Sequence, residues 1–156
     1  MTEPQPRFLL TAADIASMPE ERRVHKVNPG AARFQRTIGK LTGLTALGVH
    51  VIRLAPGDTS SEYHFHHHEE EFVYVLAGRG VAEIGDERRE VGPGDFMGFP
   101  AGSPGHALSN PFDTELVCLV AGQHFEHDEC DYPRAGKRRL RRDGENVYIP
   151  LPPAQS

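Results

Sequence analysis

The chain has 156 residues and a mass of 17.3 kDa, the size of a single domain with its own apolar core. Its 16 glycines and 13 prolines follow no fixed period, which excludes collagen and is typical of an all-β domain with many tight turns. Seventeen basic and 22 acidic residues give a formal charge of −5, which argues against nucleic acid as the main partner. No apolar run approaches the ~18 residues of a membrane span, and no secretory signal is visible, so we expect a cytoplasmic protein with reduced Cys118 and Cys130.

Residues 1–40 are interpreted as an N-terminal arm. Thr11 and Asp14 have the spacing of a capping box, in which each residue's side chain bonds the other's backbone. This spacing predicts one or two helical turns over Ala12–Met18, ended by Pro19.

Residues 41–122 carry the pattern of a β-barrel or sandwich. Short runs rich in Val, Ile, Leu and Phe alternate with Gly, Pro and Asp turn signals at intervals of roughly 8–15 residues. The predicted strands are Leu44–Leu54, Phe72–Leu76, Val81–Ile84, Phe96–Phe99 and Leu116–Ala121. No long helical period interrupts them, so the predicted fold class is all-β.

Residues 123–156 are predicted to form a C-terminal tail that packs on the barrel or on a partner subunit. The tail contains Lys137–Arg142 (KRRLRR), five basic residues out of six, shortly after an acidic stretch. Taken alone, such a run is compatible with a nucleic-acid patch or a targeting signal. The interpretation we favour is a solvated segment that pairs with the preceding acids.

Histidine is the unusual feature of the composition: there are nine, and four of them fall within five residues. Alternate residues of a strand share a face, so His64 and His66 are expected to be neighbours. The polar segment His67–Glu70 suits a hairpin turn, and an antiparallel hairpin would bring Glu71 opposite the two histidines. Two imidazoles and one carboxylate predict a half-shell for a divalent transition metal.

A further ligand has to come from another part of the chain, and His106 is the natural choice. It is the only histidine between His68 and His124. The segment before it, from Gly94, is rich in Gly and Pro, which predicts a sharp loop that delivers His106 at the start of a strand.

Together the two segments resemble the paired motifs of the cupin superfamily. The first motif is represented, at the family spacing, by His64, His66, Glu71 and Gly78. The second is represented by Gly94, Pro100, Gly102, His106 and Asn110. One extra residue stands before His106 and one between Gly57 and His64, both in loops, where an insertion is easily absorbed.

The resemblance implies a double-stranded β-helix, or jelly-roll barrel, that pairs as a homodimer. It implies one divalent metal per chain (Mn, Fe, Co, Ni or Zn), held by His64, His66, Glu71 and His106 with positions left open for a small polar or anionic metabolite. The chemistry implied is that of an isomerase, a lyase or a dioxygenase. The tail sequence CDYPRAGKRRL, followed by Tyr148 and Ile149, resembles that of a group of small bacterial cupins, some of which are described as sugar-phosphate isomerases. That activity is implied by family analogy alone.

Each of these histidines also has a plainer interpretation. A run such as HFHHH is often a solvated surface tract, and His67 and His68 are expected to be turn residues unless the register slips. Intervals of three residues separate His124, His127 and Cys130. Their alternative interpretation, beside that of a charged loop, is a second metal site with a soft thiolate ligand.

Three classes of function remain open at this point: a metal-dependent enzyme, a non-catalytic metal-dependent binding or sensor module, and a nucleic-acid or interaction protein that uses KRRLRR. Arg36, Arg53 and Gln123 are the candidate anchors for an anionic substrate. Tyr63 and Asn110 border the ligands, and either could serve the site or the structure. No residue spacing identifies a catalytic base, a nucleophile or a nucleotide-binding loop.

Overall fold

The computed structural model describes residues 4–153, which form thirteen strands and one short α-helix. The helix is α1 (Ala12–Ser17), and the strands are β1 (Glu21–Val24), β2 (Ala32–Thr37), β3 (Leu47–Leu54), β4 (Phe65–His66), β5 (Glu71–Ala77), β6 (Gly80–Ile84), β7 (Glu87–Val91), β8 (Phe96–Phe99), β9 (His106–Ser109), β10 (Leu116–Gln123), β11 (Asp128–Tyr132), β12 (Lys137–Arg142) and β13 (Glu145–Pro150). The all-β prediction is therefore confirmed.

The strands pair antiparallel and make three sheets. Their orders are β1-β2-β3-β10-β5-β8, β13-β12-β11-β4 and β7-β6-β9. Antiparallel sheets joined in this way fit a jelly-roll barrel. Among residues 4–153, no helix has the length and apolar character needed to cross a bilayer.

The apolar core lies between the six-stranded and the three-stranded sheets. Alternate residues of β3 and β10, such as Ile52, Leu54, Leu116 and Cys118, point inward and are buried. This is the period of two expected for strands with one buried face. Cys118 packs as a small apolar side chain, and both it and Cys130 are buried free thiols.

The N-terminal arm begins as predicted. Thr11 and Asp14 form a capping box in which the Asp14 backbone N–H donates to Thr11 Oγ1 (3.1 Å) and the Thr11 backbone N–H donates to Asp14 Oδ2 (2.8 Å). The helix ends at Ser17. Further along, β2 pairs with β3, so hydrogen bonding crosses the predicted boundary at residue 40; the division of the chain into an arm, a barrel and a tail stays a prediction.

KRRLRR is not a solvated segment. It forms β12, which lies between β11 and β13, and β11 in turn pairs with β4. The expected pairing with the preceding acids is present: Arg138 bonds Asp131, and Arg139 bonds Asp128 (3.0 Å). The prediction of solvation failed because these charges face each other across paired strands.

Gly78, a glycine of the first motif, has a positive φ of 79°. A Cβ at this position would lie 1.9 Å from the backbone oxygen of Glu115. Only glycine fits a turn that is both left-handed and this close to a neighbouring strand.

Candidate metal centre

Three of the predicted ligands are histidines that lie side by side. His64 directly precedes β4, His66 is in β4, and His106 is the first residue of β9. His64 and His106 form an antiparallel bridge, with N···O distances of 3.1 and 2.9 Å. The ring centroid of His64 consequently lies 4.6 Å from that of His106 and 5.3 Å from that of His66.

The carboxylate of Glu71 faces all three rings from β5. Its Oε1 lies 3.2 Å from Nε2 of His64 and contacts Nε2 of His106. Its Oε2 lies 3.7 Å from Nε2 of His66. The four side chains singled out from the sequence therefore lie close together, with the Glu71 carboxylate next to each of the three rings.

The route by which Glu71 reaches the histidines differs from the predicted hairpin. β4 pairs with β11, whereas β5 pairs with β10 and β8, so the two consecutive strands belong to different sheets. The hairpin prediction is wrong because the linking residues are held by other strands. The backbone N–H of His67 donates to Glu129 O (2.8 Å), and that of Glu70 donates to the Gln123 side chain (2.8 Å).

Each histidine has a hydrogen-bond acceptor behind its Nδ1. For His64 the acceptor is the Glu62 carbonyl (2.8 Å), and for His106 it is the Pro104 carbonyl (3.4 Å). For His66 it is the Asp128 carboxylate (2.7 Å). Acceptors at these positions select the tautomer that carries its proton on Nδ1 and leaves a lone pair on Nε2.

That tautomer makes the donor set suitable for a cation. In that tautomer the three Nε2 lone pairs would face the Glu71 carboxylate, so four hydrogen-bond acceptors would lie together without a donor. A cation bound between them would stabilise this arrangement. The ligating atoms of His64, Glu71 and His106 lie within 4.8 Å of one another. Imidazole and carboxylate donors suit Mn, Fe, Co, Ni or Zn.

Packing and electrostatics hold this group in place. The ring of Phe99 stacks on His106 with a centroid separation of 3.5 Å and an interplanar angle of 6°. Burial acts to raise the pKa of Glu71, but its close contacts with the His106 and His64 rings outweigh burial and hold that pKa well below its usual range. Glu71 is therefore an anion at neutral pH and available as a ligand.

Asp128 is a residue of the candidate site that sequence reasoning missed. Its side chain is fully buried between Nδ1 of His66 and the Arg139 guanidinium (3.0 Å), and it accepts hydrogen bonds from the backbone N–H groups of His68 and Glu69. Burial acts to raise the pKa of Asp128, but the hydrogen bond with His66 and the positive charge of Arg139 outweigh burial and lower that pKa to about 2. Its only sequence signal is an acid in a mixed histidine and acid stretch.

The other candidate histidines lie outside this group. His67 follows β4, and its Nε2 lies 3.0 Å from Asp131. His124, His127 and Cys130 do not form a metal-sized group within the described residues. His127 is exposed, whereas Cys130 is buried beside two of the site histidines. Burial raises the pKa of the Cys130 thiol to about 12.

Two residues that border the motifs are structural. Asn110 is fully buried, and its side-chain amide donates to the backbone oxygens of Leu54 (2.9 Å) and Thr114 (2.7 Å). The hydroxyl of Tyr63 donates to the Gly85 carbonyl (3.4 Å).

The candidate metal centre opens into a cavity of about 410 Å³. His64, His66 and Glu71 line its wall, and so do side chains from β1, β2, β3 and β12. Glu71 is the single carboxylate among the described residues that line it; the basic ones are Arg23, Lys26, Arg33 and Arg139. The cavity therefore favours a polar, negatively charged occupant.

Of the three predicted anchors, Gln123 lines this cavity. Arg36 and Arg53 do not line it, because their strands direct them to the opposite face of the sheet. There, Arg36 lies 3.3 Å and Arg53 2.9 Å from the Glu20 carboxylate, and Arg53 also stacks on Phe34. The sequence could not decide which residues of β2 and β3 point inward.

Comparison with known proteins agrees with this fold. The family model of the cupin domain matches residues 50–122. A cupin-superfamily sugar phosphate isomerase from Silicibacter pomeroyi is 30% identical, with a TM-score of 0.78 over 88% of this chain and 90% of that chain. The chain therefore belongs to the cupin superfamily.

Two further relatives span different shares of the chain. A candidate sugar phosphate isomerase from Acidithiobacillus ferrooxidans is 42% identical, with a TM-score of 0.91 over 96% of both chains. An uncharacterised protein of Methanocaldococcus jannaschii is 30% identical over 80 residues. That match covers 51% of this chain and 56% of the relative, so this chain spans little more than half of that protein.

Proposed function

We propose that this protein binds one divalent transition metal through His64, His66, Glu71 and His106 and uses it to isomerise a small sugar-type metabolite. The observation that carries the proposal is the position of the Glu71 carboxylate beside the Nε2 atoms of three histidines. His64, His66 and Glu71 of this group also line a polar cavity. The two similar structures described as sugar phosphate isomerases support the reaction class.

A bound metal would supply Lewis-acid polarisation of a substrate carbonyl or hydroxyl. The chain supplies the rest of the site. Two histidines outside the ligand set, His25 and His50, line the cavity. Burial, followed by nearby positive charges, lowers the pKa of each to about 4, so both are neutral at pH 7.

We assign hydrogen bonding to the substrate to these neutral rings. The backbone N–H of Val27 donates to Nδ1 of His25 (3.2 Å), so neutral His25 carries its proton on Nε2. Nδ1 of His50 lies 3.2 Å from Thr37 Oγ1, which orients the second ring. Isomerisation of a hydroxy-carbonyl develops negative charge on the carbonyl oxygen, and a neutral imidazole N–H can donate a hydrogen bond to that oxygen.

Elemental analysis of the tag-free protein tests the metal assignment. The wild type is expected to hold about one equivalent of a transition metal, since one complete ligand set is present. His64→Ala should lose it, because an Nε2 ligand is removed. His67→Ala is the matched control and should keep it. Absence of metal after loading with each ion in turn, or retention by His64→Ala, would contradict the assignment.

The reaction class is tested on the metal-loaded protein. Small aldoses and ketoses, free and phosphorylated, are incubated with wild type and His64→Ala, and the products are identified by NMR. Metal-dependent interconversion by the wild type alone is expected. Stoichiometric metal without turnover of any of these substrates would instead favour the non-catalytic binding module.

A further inference from the structure

Arg33 is a cation in the cavity wall that contacts no carboxylate directly, although Glu71 of the same wall acts on it from a longer distance. Its Nε donates to Oε1 of Gln35 (3.0 Å) and its Nη1 to the carbonyl of Ser60 (3.3 Å), and both acceptors are neutral. Over residues 4–153 no carboxylate forms an ion pair with it. Gln35 is itself buried and donates onward to Thr37 (3.0 Å), so the guanidinium is held in one orientation.

The positive charge of Arg33 is held in an unfavourable environment unless an anion binds next to it. Burial lowers the pKa of Arg33, yet a guanidinium stays protonated at neutral pH. A charge partly removed from water without a partner costs free energy. The site is therefore better suited to a complex with an anion than to the protein alone.

Arg139 provides an independent observation in the same cavity. Its Nη2 donates to Asp128 (3.0 Å), but its Nε is buried with no hydrogen-bond partner. In the part of the chain that the structure describes, no other buried side-chain nitrogen or oxygen is left in this state. Buried donors without partners are rare, and each calls for a missing acceptor.

We propose that Arg33 and Arg139 form a subsite for an oxyanionic group of the substrate, a phosphate or a carboxylate. Guanidinium groups pair with either group through two parallel hydrogen bonds. The subsite rests on the proposed function in taking this cavity as the substrate site. Because Arg139 and His66 share Asp128, the anion lies next to the metal centre, and one small molecule can reach both.

The test is calorimetric titration of the metal-loaded protein with inorganic phosphate and, separately, with acetate. Arg33→Gln and Arg139→Gln are each expected to weaken binding roughly tenfold or more, because each removes a charge-assisted hydrogen bond. Arg142→Gln makes the same charge change at an exposed position of the same strand as Arg139 and should leave binding within about twofold. Preference for phosphate indicates a phosphorylated substrate, and preference for acetate a carboxylated one.

Arg139→Gln also leaves Asp128 without its cation, so Arg139→Lys serves as the second variant. The lysine keeps a charge beside Asp128 but cannot bind an anion in a bidentate manner, and weaker phosphate binding is again expected. Unchanged affinity in the Arg33 and Arg139 variants, or an equal loss in Arg142→Gln, would overturn the subsite.

Metal content measured on the same samples separates the two proposals. Phosphate binding that depends on both arginines in a protein that takes up no metal would support the subsite while the proposed function fails. One equivalent of metal in every variant, with phosphate affinity unaffected, would overturn the subsite and leave the metal centre intact.

Discussion

His64, His66 and His106 differ in the group that accepts a hydrogen bond from Nδ1 of each ring. His64 and His106 rest on backbone carbonyls, which are neutral, whereas His66 rests on the ionised carboxylate of Asp128. A carboxylate behind an imidazole makes the ring more basic and fixes its orientation, which strengthens binding at the opposite nitrogen.

Replacement of Asp128 by Asn is therefore expected to lower metal affinity by about 10–100-fold. The affinity is measured by competition with a chromogenic chelator. Asp131→Asn is the control, because Asp131 contacts His67 and Arg138 and no member of the proposed ligand set. Equal affinity in the Asp128 variant and the wild type would show that this carboxylate does not support the ligand.

His50 predicts a pH dependence of stability at the residue scale. Burial, followed by the charges of Arg33 and Arg23, lowers its pKa from 6.5 to about 4 in the folded protein. As the pH falls below 6.5, the unfolded chain takes up a proton that the folded chain accepts only near pH 4. The free energy of unfolding therefore decreases over this interval.

Urea unfolding of wild type and His50→Gln between pH 7.5 and 4 measures this contribution. The variant should lose less stability on acidification, because it lacks the His50 imidazole, which takes up a proton in the unfolded chain but stays neutral in the folded protein. His25 has a similarly lowered pKa and is present in both proteins, so part of the dependence should remain. Parallel profiles would contradict the assignment to His50.

At the scale of elements, β12 shows how a basic run becomes structural. Alternation along the strand directs Arg139 and Arg141 to one face, where Arg139 pairs with Asp128. Arg141 pairs with Glu69, and both side chains are almost fully buried. These charges are neutralised within the protein, and they attach the last strands to the segment that carries the site histidines.

Removing one partner of the Arg141–Glu69 ion pair should lower the free energy of unfolding. Arg141→Met leaves a buried carboxylate without its cation and is expected to destabilise the fold by about 3–5 kcal/mol. Urea unfolding at pH 7 provides the measurement. Arg142→Met, on an exposed neighbour, should change stability by less than about 0.5 kcal/mol. The double variant Arg141→Met/Glu69→Leu should recover much of the loss, and failure to do so would indicate another cause.

Strand prediction succeeded for strands that carry a clear apolar run. It failed mainly for strands that are rich in charged residues. The observed range of β8 is the predicted one. The prediction for β10 ended at Ala121, two residues before the observed strand ends at Gln123. β1, β7, β11 and β12 were missed because more than half of their residues are charged. β13 was also missed, although Val147, Tyr148 and Ile149 form a short run of apolar and aromatic residues. In the sheet of β11 and β12, ion pairs replace apolar packing.

At the scale of the whole molecule, part of the outer face of the six-stranded sheet is apolar. Leu47, Tyr74, Leu76 and Phe96 are exposed there. Exposed apolar patches of this kind mark interaction sites. The homodimer predicted from the sequence would cover this face by pairing two such sheets.

Sedimentation velocity at several concentrations tests the homodimer, with a mass of two chains expected. Leu76→Lys places a charge in the predicted interface and should yield monomers. Val147→Lys, which is exposed on the four-stranded sheet, should remain dimeric. A wild-type monomer at every concentration would contradict the prediction.

Local patterns in the sequence determined the β class, most strands of the apolar core and the four residues of the proposed ligand set, which the fold brings close together; their binding of a metal stays a prediction. These rest on short spacings: a period of two for strands, and histidines and a glutamate within a few positions. The same spacings carried the resemblance to cupins.

Only the tertiary structure decided which strands are partners and which side chains face the cavity. β4 and β5 are adjacent in sequence but lie in different sheets, and Asp128 reaches His66 from 62 residues away. Arg33 points inward while Arg36 points outward, a difference of strand parity that residue type does not encode. Partner choice and parity follow from long-range packing, because the free energy of a strand depends on the surface it is paired with.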